Sequence, residues 1–380
     1  MRDLHSLFKN IKTPAYIIDE AKLRQNCEIL ADVERRSGAK VLLAQKAFSA
    51  FATYPLISQY ISGATASGLF EARLAQEEMG GQNHVFSPAY TDEEMQELCQ
   101  ICDHIVFNSL SQLEHHRKFW QGSNVSVGLR LNPEHSTQDG HEIYDPCSAN
   151  SRLGVRQRDM TAHLPSGVEG LHIHTLCEQM VEPLVKTVAV VEEKFGYLLR
   201  EAKWLNLGGG HHITKSGYDI EKLISLVIRL RETYGLEIFL EPGEAVALDA
   251  GYLATWVMDI VKGQIPILIL DTSAACHMPD VIEMPYTPPL LGAGAEGEKP
   301  FTYCLASRTC LAGDVIGNYS FDKQIEVGDM LIFCDMAIYS MVKNNTFNGM
   351  PLPDIAILKE NDEYQLVKTF GYKDFKERLS

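Results

Sequence analysis

The sequence has little that points to export, membrane insertion or nucleic-acid binding. Its opening, MRDLHSLFKNIKTP, has no continuous apolar core, so no secretory signal is expected. No stretch approaches the roughly 18 uncharged apolar residues a membrane helix needs. The least polar long stretch, 245–261, is interrupted by Asp249 and Asp259. Positive charge is scarce: 34 Lys and Arg stand against 50 Asp and Glu, a net charge of −16. Such a chain repels phosphate backbones and attracts cationic small molecules, so neither nucleic acid nor membrane is an expected partner. The nine cysteines lack a disulfide framework. With no export signal, reduced thiols and a cytoplasmic location are expected. Cys99 and Cys102 have zinc spacing, but no second pair completes a site. Repeats, low-complexity segments and linkers are missing too.

What the sequence has is alternation. Short apolar runs suggest strands near 41–44, 61–66, 84–88, 104–108, 125–131, 170–174, 204–208 and 236–240. Amphipathic segments such as 68–79, 91–102, 181–201 and 219–234 lie between them, the last with Asp219 as N-cap. Eight strand–helix units predict an α/β protein built on a (β/α)8 barrel, with a doubly wound sheet as the alternative. Beyond about residue 262 the pattern becomes all-β, with runs at 265–270, 301–305, 330–334, 354–358 and 364–369. The opening TPAYIID reads as a strand ending at Asp19 that joins this second domain. The expected division is a barrel over 22–262, and a β-domain of 1–21 with 263–380.

Barrel chemistry collects where strands end. Those ends carry Lys46 in LLAQKAF, His172 and His174, the triple glycine 208–210, and Glu241-Pro242-Gly243-Glu244. Glycines let backbone N–H groups approach a phosphate. A lysine, a phosphate cradle and a carboxylate suggest pyridoxal 5'-phosphate. The lysine would bind the cofactor covalently, and the carboxylate would keep the pyridine nitrogen protonated. Taken singly, Lys46 reads as a lysine snorkelling at a strand end. His172 and His174 also match the H-x-H of barrel metallohydrolases, which His211-His212 could extend. That reading leaves Lys46 and the triple glycine without a role.

The motifs TPAYIID, LAQKAF, SGLFEA (67–72), SRLGV (151–155), HTLCEQ (174–179), LNLGGG (205–210), EPGEAV (241–246), RTCLAGDVIG (308–317) and IYSMVKNNTFNG (338–349) occur in order. In this the chain resembles the fold-III pyridoxal-phosphate decarboxylases, the group of ornithine and diaminopimelate decarboxylases, over about 13–372. The resemblance implies an alanine-racemase-like barrel with a C-terminal β-domain. It implies Lys46 as the cofactor lysine and His174 as the ring-stacking histidine. Gly210, Gly243 and the Glu244 backbone would hold phosphate, with Cys177 and Tyr339 beside it, and Glu241 would face the ring nitrogen. Cys310 and Asp314 would reach into the partner's site across a homodimer, Cys310 returning the proton to Cα.

Two departures bear on the substrate. The group usually has a small polar residue where Cys177 stands and an arginine where Glu244 stands. HTLCEQ, EPGEAV and DTSAACHMPDVIEMPYTP (271–288) are similar to the carboxynorspermidine/carboxyspermidine decarboxylase branch. Glu244 and Asp280 match that branch's substrate-binding acids, and a polycationic amino acid is then the expected substrate. Ornithine or diaminopimelate decarboxylation is the alternative, and a non-catalytic cofactor carrier a remote one. Arg152 is open between packing and a site contact.

Overall fold

The computed structural model describes residues 2–138 and 145–380. The chain divides into two compact units, 24–246 and 1–23 with 247–380.

In the first unit eight parallel strands close on themselves. They are Lys40–Ala44, Gly63–Ala66, Gln82–Phe86, His104–Phe107, Ser126–Asn132, Val168–His172, Trp204–Asn206 and Glu237–Leu240. Each pairs with the next, and the eighth returns to the first, with Phe239 opposite Lys40 and Leu240 opposite Val41. Closure removes both sheet edges. The barrel interior is filled partly by Trp204, Phe239, Leu42 and Val106. The Trp204 indole occupies the space in front of Gly128 and Gly170, where any Cβ would collide with it. Glycine at those positions leaves room for the largest side chain.

Helices cover the barrel where the periodicity places them. Ile220–Tyr234 begins at Asp219, whose carboxylate accepts from the Lys222 N–H at 2.9 Å. It ends at Gly235 with φ +73°, a left-handed cap that glycine adopts without strain. Asp92–Ile101 starts with a reciprocal Thr91–Glu94 capping box. The segment 68–79, read as one helix, is an α-helix over Leu69–Leu74 that widens into a π-turn at Ala75–Met79.

The second unit is a sheet. Strands run in the order Val315–Phe321, Phe301–Ser307, Ile267–Leu270, Gly251–Val261, Ala15–Asp19, Asp354–Leu358, Tyr364–Lys368, and Met330–Cys334 also pairs with Gly251–Val261. Ala15–Asp19 is buried along its whole length, antiparallel to Gly251–Val261 and parallel to Asp354–Leu358. This corrects the expected boundary at 262. The stretch 251–261 is an 11-residue strand of the sheet unit, and the division falls between 246 and 247. The apolar run looked like barrel because its outer half alternates too weakly to mark an edge. Val315–Phe321 was not expected, since Gly317 and Asn318 break its pattern. Among the described residues, no helix is long and apolar enough to cross a membrane. None of the nine cysteines is in a disulfide.

Candidate active site

The C-terminal ends of the barrel strands open onto a cavity of about 300 Å³, and Lys46, Thr65, Arg130, His172, His174 and Glu241 line it. Lys46 sits in the turn after the first strand. Its side chain is accessible from the cavity, yet the amine lies deep among protein atoms and is poorly hydrated. That desolvation, reinforced by the positive charge of Arg130, pulls its pKa below the usual lysine range.

His174 follows the sixth strand by two residues. Its Nδ1 accepts the Gly209 N–H at 3.0 Å, so the ring hydrogen belongs on Nε2. Nε2 lies 3.4 Å from the Lys46 amine. An N–H aimed at a nitrogen needs a lone pair there, and the lowered pKa of Lys46 shifts the amine towards that same uncharged form. Burial, with Lys46 and Arg130 nearby, keeps His174 neutral as well.

Glu241 directly follows the eighth strand and is 7% exposed. Its Oε2 is 3.1 Å from His172 Nε2, and its Oε1 accepts from Asn206 Nδ2 at 2.8 Å. Burial opposes the ionised carboxylate, but His172, Asn206 and Thr65 outweigh it and lower the pKa. Burial drives His172 itself towards neutrality. The pair is therefore best written as an ionised carboxylate accepting an N–H from a neutral imidazole. Asn206 is doubly used, since its Oδ1 also accepts the Gly208 N–H at 2.8 Å.

The loop after strand seven opens on three glycines, 208–210, and the loop after strand eight holds Gly243. Gly208 and Gly210 have φ +68° and +80°, and a Cβ on Gly210 would collide with the Leu176 carbonyl. A Cβ on Gly243 would lie 2.7 Å from that of Ala47. These loops must be glycine to pack this closely, and they leave backbone groups at the barrel mouth. Glu244 starts a short helix, with Oε2 4.0 Å from His212 Nδ1. Cys177 is half-buried in the loop after strand six.

An amine nucleophile, a braced carboxylate, a ring-bearing wall and a glycine cradle around one cavity fit pyridoxal phosphate. The metal reading fits less well. Among the described residues, neither His172 nor His174 belongs to a group of three side chains able to close on one ion. His211 is bonded to Tyr218 through Nδ1 at 2.6 Å.

The remaining expected residues belong to the sheet unit. Tyr339 is half-buried with φ +48°. Cys310 is exposed, and its N–H donates to Asn348 Oδ1 at 2.6 Å. Asp280 is ion-paired with Lys343, which also pairs with Glu283. Asp314, expected at the substrate, is 2% exposed. It accepts from Ser273 Oγ at 2.7 Å, Thr309 Oγ1 at 2.6 Å and the Ala275 N–H at 3.1 Å. Both its oxygens are used inside its own unit, where they tie the Cys310 turn to the Ser273 helix start.

Sequence reasoning passed over Arg130. It is 4% exposed, and its guanidinium lies 4.5 Å from the centre of the Phe86 ring. It donates to the His174 carbonyl at 2.8 Å, and burial brings its pKa down to about 10. The signal was an arginine inside the apolar run VSVGLRLN. Arg152, left open before, lines the same cavity.

Residues 15–337 match the family described as "Pyridoxal-dependent decarboxylase, C-terminal sheet domain". A carboxynorspermidine/carboxyspermidine decarboxylase of Campylobacter jejuni is 45% identical over 97% of this chain and 98% of that protein. A carboxyaminopropylagmatine decarboxylase of Synechocystis is 39% identical over 97% of this chain and 96% of that one. The crystal structure of carboxynorspermidine decarboxylase complexed with norspermidine, also from C. jejuni, superposes with a TM-score of 0.90 at 44% identity, covering 97% of this chain and 100% of that one.

Proposed function

The chain belongs to the pyridoxal-dependent decarboxylases, and on that premise we propose that it decarboxylates carboxynorspermidine, carboxyspermidine or both. The observation that carries the chemistry is the desolvated Lys46 amine 3.4 Å from His174 on the cavity that Glu241 also lines. The substrate rests on the names of the relatives and on the acid at position 244. The two substrates differ by one methylene, worth only about 1–3 kcal/mol in a pocket, so acceptance of both is the natural outcome.

Pyridoxal phosphate supplies an electron sink for the pair left when the carboxylate departs. Lys46 offers its lone pair and holds the cofactor covalently. Glu241 holds a proton on the ring nitrogen, and His172 and Asn206 keep its carboxylate ionised and aimed. His174 gives a ring face whose orientation the Gly209 N–H fixes. Arg130 helps keep Lys46 deprotonated and pins the His174 backbone. Gly210, Gly243 and the Glu244 N–H take the phosphate, with Tyr339 and Cys177 as further contacts. Cys310, from the partner subunit of a homodimer, returns a proton to Cα. Asp314 acts as the brace of the Cys310 turn. Glu244 and Asp280 read the cationic tail of the substrate. Nine cysteines outside any disulfide suit a reducing compartment, and we place the enzyme in the cytoplasm.

The experiment is carbon dioxide release from carboxynorspermidine and carboxyspermidine, with ornithine and diaminopimelate as controls. Turnover of the carboxylated polyamines at least tenfold above the controls is expected. Preference for a control would replace the substrate and leave the chemistry standing. Carboxyaminopropylagmatine belongs in the same panel, because one relative is named for it. For the shared site, mixing Lys46→Ala with Cys310→Ala protein under subunit exchange should restore part of the activity. No recovery would argue against sharing.

A further inference from the structure

Two acceptors at the barrel mouth, Glu178 and His212, have no role in the chemistry just described, and they stand beside Glu244, assigned above to the substrate tail. Glu178, His212 and Glu244 lie on the loops after strands six, seven and eight. One ligand atom from each falls within 4.8 Å of the others. His212 is 5% exposed, and its Nδ1 has no hydrogen-bond partner among the described residues. That buried nitrogen faces Glu244 Oε2 at 4.0 Å, too far for a bond between them. A buried polar atom left without a partner costs free energy, so its persistence beside two carboxylates calls for a ligand.

The spacing says what kind. A primary ammonium has three N–H donors in tetrahedral directions. With charge-assisted bonds of about 2.8 Å, its three acceptors lie about 4.6 Å apart. A secondary ammonium has only two donors, and a planar guanidinium spreads its five over a wider fork. Two carboxylates and one neutral imidazole make a net negative seat with one acceptor for each hydrogen. Burial keeps His212 neutral, with a pKa near 4, and the tautomer with hydrogen on Nε2 presents the Nδ1 lone pair to the group.

We propose that Glu178, His212 and Glu244 form a seat for the terminal primary ammonium of the substrate tail, with Glu178 as a specificity-determining residue. The inference rests on the decarboxylase reading above and assigns the end of the tail within it. It also separates this chain from an enzyme for a guanidinium-ended tail, which the seat would hold poorly.

The test compares carboxynorspermidine with its analogue bearing a methyl in place of the terminal ammonium, using holoenzyme dialysed against a chelator. Wild-type protein should prefer the natural substrate in kcat/KM. In Glu178→Gln that preference should fall about 10- to 150-fold, mostly through KM, the size of one charge-assisted hydrogen bond. Turnover of the methyl analogue and the cofactor absorption should stay unchanged, which also reports an intact fold. Norspermidine binding, followed by calorimetry, should weaken by the same factor. Glu178→Asp should recover part of the loss. A preference undiminished in both Glu178→Gln and Glu178→Ala would overturn the seat while leaving the decarboxylase reading intact. Wild-type protein that releases carbon dioxide from neither carboxylated polyamine would bring down that reading, and the seat with it. A stoichiometric metal that survives dialysis in wild type and is lost in Glu178→Gln would overturn the ammonium seat in favour of an ion.

Discussion

The barrel mouth and the sheet unit both bury charged and polar groups, but they use them differently. In the sheet unit Asp314 has three donors, and His277 lies between Thr272 and the Pro351 carbonyl at 2.9 and 3.0 Å. Those groups are satisfied locally and hold turns in place. In the barrel, among the described residues, Lys46 is desolvated with no carboxylate bonded to it, and His172 Nδ1 and His212 Nδ1 have no partner. Burial that is fully paid for by partners gives shape. Burial left incomplete gives groups whose protonation can change during a reaction.

The sharpest way to break this contrast is to remove the amine. Lys46→Ala should cost about 10³-fold or more in kcat/KM, and borohydride should no longer trap cofactor on the protein. Retained trapping on another lysine would reverse the assignment. Next in size is Glu241→Gln, which keeps volume and loses the charge that Asn206 and His172 brace. A loss of about 10²–10³ in kcat is expected with little change in KM, and a shift in cofactor absorption should accompany it. In the sheet unit the same logic predicts a stability effect. Asp314→Ala leaves two hydroxyls and one N–H without an acceptor, so unfolding should become easier by about 3 kcal/mol while bound cofactor persists. Loss of cofactor without loss of stability would show that Asp314 serves the site directly.

The same contrast explains what was legible in the sequence. The barrel strands could be read because each is a short apolar run punctuated by glycine or a polar strand end, and because Lys46, the triple glycine and Glu241 fall at those ends. Gly251–Val261 was misplaced, since a strand buried in one half and exposed in the other has no single period. Arg130 was missed because an arginine inside an apolar strand declares burial without saying what it faces. Its partners, the His174 carbonyl 44 residues away and the Phe86 ring, exist only once the barrel closes. Asp314 was legible only as a position of importance, because Ser273 and Ala275, which donate to its carboxylate in the folded chain, lie about forty positions upstream.

Acid should sharpen the comparison further, because each unit buries at least one histidine with a pKa brought down to about 4, among them His104 in the barrel and His277 in the sheet. His104 in the barrel packs between His84, Trp204 and Phe239, and His277 is fully buried in the sheet. Burial is the leading cause for both. The unfolded chain binds a proton near pH 6.5 and the folded chain only near pH 4. Between those values the unfolded state carries more protons, so stability rises with pH there. The contribution is complete above pH 6.5 or so and fades as pH falls towards 4. From pH 7.5 to 5, each histidine should cost about 2 kcal/mol of unfolding free energy. His104→Phe should remove that share of the acid sensitivity in the barrel, and His277→Gln the share in the sheet. Unfolding free energies of the two variants and wild type at pH 5 and 7.5 give the slopes directly. A wild-type slope that neither substitution flattens would mean that both rings are already protonated in the folded protein. The neutral-histidine account of both units would then fail together.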